Sequence, residues 1–99
     1  METKKHYMIT LTLRSGDVEK QCLTLIEASS EDEAKKVALF VEIHCDYGHG
    51  AYLEHGGMYD HFGEWFYFVR KVQEIKKESL PVLLEYFNVF RDTDCDCQL

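Results

Sequence analysis

From His6 to Arg14 apolar and polar side chains alternate, with Tyr7, Ile9, Leu11 and Leu13 on one face and His6, Met8, Thr10 and Thr12 on the other. A period of two sustained over this length predicts a half-buried strand. Ser15, Gly16 and Asp17 supply turn chemistry, and Val18 to Ala28 is again rich in residues that favour extended chain, so the two segments predict a β-hairpin. Its register is left open by the run Leu23, Thr24, Leu25, Ile26, which blurs the alternation.

The pattern then changes period. Ser30 precedes Glu31, Asp32 and Glu33, a sequence in which the serine oxygen accepts from the Glu33 amide and three acids face the positive end of a helix dipole. Ala34, Val37, Ala38, Val41 and Cys45 follow at helical spacing, and Gly48 is a plausible stop. Residues 48–63 hold five of the six glycines and read as loop, with a short strand optional at Ala51 to Glu54. Trp65, Phe66, Tyr67, Phe68 and Val69 form a dense run, continued by Val72 and Ile75, that predicts a strand covered on both faces. Ser79, with Pro81 after it, then opens a last stripe of Leu80, Leu83, Leu84, Phe87 and Phe90 that predicts a long apolar C-terminal helix.

Together these elements predict an α+β fold: a small antiparallel sheet of three or four strands with both helices packed on one face. Residues 1–91 form the single expected domain, and residues 92–99 an acidic, cysteine-containing tail. The length of 99 residues and the 45% hydrophobic content suit one core and no second one. No apolar stretch approaches the roughly 20 residues of a membrane span, and Met1 to Lys5 lack the apolar core of a secretory signal. With four cysteines and no export signal, the expectation is reduced thiols in the cytoplasm.

Charge narrows the partners. The formal net charge of −7 disfavours direct contact with nucleic acid or an anionic membrane and favours a basic partner. The acids are segregated: no Lys or Arg stands between Lys36 and Arg70, whereas Glu42, Asp46, Glu54, Asp60 and Glu64 all do. Tyr52 and Tyr59 interleave with them, and aromatics are enriched in the energetic centres of protein interfaces. Glu42, Asp46, Tyr52, Glu54, Tyr59, Asp60 and Glu64 are therefore the candidate partner-binding residues.

The same stretch holds His44, His49, His55 and His61. His44 and His49 with Cys95 and Cys97 would give a two-nitrogen, two-sulfur zinc tetrahedron if the tail folded back, although no CxxC pair is present. The simpler reading is loop histidines that hydrogen bond, with no cofactor. Asp92, Asp94 and Asp96 do not make a calcium loop, because Cys97 replaces the required glycine. Cys45 beside these histidines could form a thiolate and base pair, but on the apolar helix stripe it reads as a small core residue. Nucleophile-elbow and nucleotide-loop motifs are missing, so no enzyme is expected.

The leading expectation is a non-enzymatic protein-binding module that occupies a basic, nucleic-acid-binding site on a larger protein. In composition the chain resembles small accessory and inhibitor proteins of bacteriophages and mobile elements, a resemblance carried by no motif. One alternative is the zinc domain. The other is a structural homodimer whose seam is the predicted last helix, through Leu80, Leu84 and Phe87.

Overall fold

The first alternating segment is strand β1, Lys5–Ser15, and it pairs antiparallel with β2, Val18–Ala28, across a two-residue turn at Gly16 and Asp17. Gly16 adopts φ +58°, the left-handed conformation that a tight hairpin needs and that glycine reaches without strain. The computed structural model describes residues 4–42, 57–59 and 64–91. Its remaining elements are α1 (Glu31–Glu42), β3 (Gly57–Tyr59), β4 (Phe66–Glu74), the one-turn α2 (Leu80–Leu83) and β5 (Val89–Phe90).

The hairpin register runs from Ser15 opposite Val18 to Lys5 opposite Ala28, which resolves the blurred run on β2. Thr24, Ile26 and Ala28 share the face of Tyr7, Ile9 and Leu11, and all are buried. Leu25 is fully buried on the opposite face, and Leu23 on that face is half exposed. The central hairpin therefore buries side chains on both faces, which is why strict alternation fails there.

Helix α1 begins as its sequence suggests, with the Glu33 amide donating to Ser30 Oγ at 3.2 Å. The reciprocal half of the cap is replaced: the Glu33 carboxylate accepts from Ser29 Oγ at 2.6 Å and lies 3.7 Å from Lys4 Nζ. Ala34, Val37, Ala38 and Leu39 are buried against Tyr7, Ile9, Leu11 and Ile26, and Val41 is partly buried beside them. Each large side chain sealed in this way contributes about 1.5–3 kcal/mol. The predicted continuation through Cys45 to Gly48, and the optional strand at Ala51 to Glu54, lie outside the described residues.

The sheet departs from the expectation. It has five strands in the order β3-β4-β1-β2-β5, it is curled, and it is mixed rather than antiparallel because β5 runs parallel to β2. The expected long C-terminal helix is the source of the error. Helix α2 is a single turn, its Ser79 makes no side-chain cap, and the i→i−3 bond from the Glu85 amide to the Val82 carbonyl tightens the chain out of helical geometry. Val89 and Phe90 then pair with Leu25 and Ile26, and Phe90 packs on the core from the sheet instead of from a helix stripe. Of the two helices among the described residues, only α1 has residues in the core.

Strand β4 is also not covered on both faces, since none of its residues is fully buried. Its dense apolar run is explained by a bulge: Lys71 stands opposite Thr10 but Val69 opposite Leu11, leaving Arg70 as the extra residue. The bulge lets Tyr67 and Val69 before it, and Val72 after it, all reach the core face.

Candidate functional site

Cross-strand register assembles one continuous row on the face opposite α1. Tyr59 on β3 stands opposite Phe66 on β4, Phe66 opposite Arg14 on β1, and Arg14 opposite Glu19 on β2. The Tyr59 and Phe66 ring centroids are 4.8 Å apart at 52°, and Phe66 stacks on Phe68 at 5.8 Å and 30°. The Arg14 guanidinium carbon lies 5.7 Å from the Phe68 centroid, within cation–π range. Arg14 also donates to Glu19 Oε2 from Nη2 at 2.7 Å and from Nε at 3.2 Å. Those hydrogen bonds hold the Glu19 carboxyl below the usual carboxylate range.

Local sequence explains how Tyr59 is presented. Met58 is fully buried in the core and faces inward opposite Tyr67, which turns Tyr59 to the opposite face, where it remains 51% exposed. Gly57 permits the close approach beneath it: a Cβ there would lie 2.5 Å from both Phe66 Cζ and the Tyr67 carbonyl oxygen. A three-residue strand with a deeply buried methionine thus presents one aromatic ring at the sheet edge.

The candidate partner-binding residues do not all converge. Tyr59 and Glu64 fall at the β3/β4 edge, with Glu64 two residues ahead of β4. Glu42 is at the end of α1, where it accepts from Thr24 Oγ1 at 3.0 Å on the helix-covered side of β2. Two strands, β4 and β1, lie between β2 and the strand that carries Tyr59, so Glu42 stands apart from that edge. Asp46, Tyr52, Glu54 and Asp60 lie outside the described residues, as do the zinc candidates His44, His49, Cys95 and Cys97. Among the described residues, no group of three or more His, Cys, Asp or Glu side chains could hold a metal. The homodimer candidates no longer share a helical stripe: Leu80 is in α2, Leu84 is half exposed in the following turn, and Phe87 is partly buried beyond it.

Cys22 is the one cysteine among the described residues. Burial, reinforced by the Glu42 carboxylate, pushes its thiol up to about 11, so it stays protonated at neutral pH and is a poor nucleophile. Sequence reasoning missed Gly57 to Tyr59 as a strand and missed Arg14, Phe66 and Phe68 as its neighbours. The available signal was the step from a Gly pair into Met58 and Tyr59, a buried-then-exposed alternation too short to stand out.

Among the described residues no helix is long and apolar enough to cross a membrane. Comparison of the chain with protein-family models, with characterised proteins and with solved structures finds no match. The class is thus defined by the fold alone: a hairpin-centred α+β domain with a five-stranded mixed sheet.

Proposed function

We propose that this chain is a non-enzymatic protein-binding module that docks on a basic surface of a larger protein, with Tyr59 as its anchor. The observation that carries the reading is the half-exposed Tyr59 ring, in tilted contact with Phe66 and next to buried Met58 on the edge strand β3. Rigid aromatics with little conformational freedom to lose are what interface centres use. Glu54, Asp60 and Glu64 flank Tyr59 in sequence, in the stretch without a single Lys or Arg, and carboxylates there would complement cations that grip phosphates in the partner. The reading extends to an inhibitor or accessory role, in which those carboxylates displace a nucleic acid from the partner's site.

An arginine-rich peptide is the probe that tests this. Its affinity for the wild-type protein should fall steeply as salt rises, because screening weakens attraction between exposed charges. Glu54→Lys with Asp60→Lys should weaken binding by roughly tenfold, about 1.4 kcal/mol, and Tyr59→Ala by a similar factor. Unchanged affinity in both variants would rule the reading out.

A further inference from the structure

A run of ring contacts crosses the sheet face opposite α1 and stops at Tyr59. The Arg14 guanidinium carbon lies 5.7 Å from the Phe68 centroid, Phe68 stacks on Phe66 at 5.8 Å, and Phe66 meets Tyr59 in a tilted pair at 4.8 Å. Arg14 closes one end of this run while donating to Glu19 Oε2 at 2.7 Å. A planar guanidinium can lie on a ring and donate in its own plane to a carboxylate at the same time, a combination that a compact, strongly hydrated ammonium matches less well.

The Tyr59 end has no such closure. Tyr59 is 51% exposed, and among the described residues no cation stands over its ring. Acid gathers there instead: Asp60 follows Tyr59 directly in sequence, and exposed Glu64 is two residues ahead of Phe66, the residue opposite Tyr59. No Lys or Arg stands between Lys36 and Arg70 to supply the missing charge from the same stretch. We infer that the exposed face of Tyr59 is a seat for one arginine side chain of a partner protein, whose guanidinium lies on the ring and donates to Glu64 or Asp60.

This seat rests on the proposed docking on a basic surface, and it narrows the partner from any cationic patch to one that presents an arginine. Carboxylates beside a ring select a cation over a neutral apolar side chain, and the ring selects the planar cation over the point charge. A base of single-stranded nucleic acid would also suit the ring, but its phosphates would meet the acidic stretch, whereas single-strand sites pair their rings with a positive groove.

Capped hexa-arginine and hexa-lysine peptides, equal in charge and length, separate the seat from simple charge attraction. In calorimetric titration at low salt the wild-type protein should bind hexa-arginine about three- to fivefold more tightly than hexa-lysine. Tyr59→Leu, which removes the ring, should bring the two affinities together, and Tyr59→Phe should keep the preference. In NMR spectra the arginine δ-methylene protons of the bound peptide should move upfield under the ring current of wild-type protein and of Tyr59→Phe, but not of Tyr59→Leu. Should Tyr59→Leu lose its fold, the wild-type comparison and the upfield shift decide the matter by themselves. Equal wild-type affinities for the two peptides, or an arginine preference that persists in folded Tyr59→Leu, would overturn the seat and leave docking on a basic surface standing. Binding of neither peptide would remove both. Tyr59 resonances that respond to oligothymidylate and not to hexa-arginine would assign the ring to nucleic acid and overturn the seat as well.

Discussion

Thr12 shows how a single side chain departs from the pattern that placed it. Alternation on β1 assigns it to the solvent face, yet it is fully buried, and its Oγ1 finds no hydrogen-bond partner among the described residues. It stands between Phe68 and Gln21 in the row next to the Tyr59–Glu19 row. A buried hydroxyl without a partner keeps its desolvation cost, so Thr12→Val, which preserves the branched shape, should leave stability unchanged or raise it by up to about 1 kcal/mol in urea denaturation. A loss of more than that would mean that the hydroxyl is satisfied after all. Neither the burial of Thr12 nor the exposure of Tyr59 could be read from the sequence. Both depend on which strand lies next to which, and local periodicity carries no record of neighbours.

At the level of elements, legibility followed the range of the interactions. The β1–β2 hairpin and the start of α1 were readable because their determinants are local: Gly16 in the turn, Ser30 at the cap, and alternation set by one face of packing. The bulge at Arg70 was not, since it exists only in the pairing of β4 with β1. The segment from Leu80 to Phe90 misled because apolar residues at helical spacing also suit a turn followed by an edge strand. What decides the matter is the β2 edge, which offers hydrogen bonds to Val89 and Phe90 that a continuing helix would forgo.

The same edge strand yields a pH prediction. Arg91, just beyond β5, donates to Glu27 Oε1 from Nε at 2.8 Å, and His6 Nε2 lies 3.3 Å from Glu27 Oε2. The Arg91 hydrogen bonds hold the Glu27 carboxyl below its ordinary value against the opposing effect of partial burial, with the Arg91, His6 and Lys4 charges adding to the lowering. A carboxyl lowered in the folded state stabilises it above the unfolded-state value, and that contribution is lost as pH falls through the folded-state value. The stability gap between wild type and Glu27→Gln should therefore be full at neutral pH and close on acidification below the carboxylate range. A gap independent of pH in that range would show that this carboxylate is not what clasps β5.

For the whole molecule, the charge account divides sharply. The described residues carry 11 Lys and Arg against 11 Asp and Glu, so the entire formal charge of −7 resides on residues 1–3, 43–56, 60–63 and 92–99. The sequence made the segregation of the acids visible, but not that the described residues are electrically balanced. Among the described residues Arg14 pairs with Glu19 and Arg91 with Glu27, and under the proposed docking on a basic surface the long-range steering would fall to the remaining acids.

The clasp formed by β5 also orders events in time. Glu27 and Arg91 are 64 residues apart, whereas the two strands of the central hairpin are joined by two. Contacts that close so long a loop form after local ones, because the entropy of closure must be met before the contact can contribute. Stopped-flow measurements on Glu27→Gln should accordingly show faster unfolding and an unaltered refolding rate. On that expectation the last strand to be laid down is the first to leave, and the margin of the sheet is where opening begins.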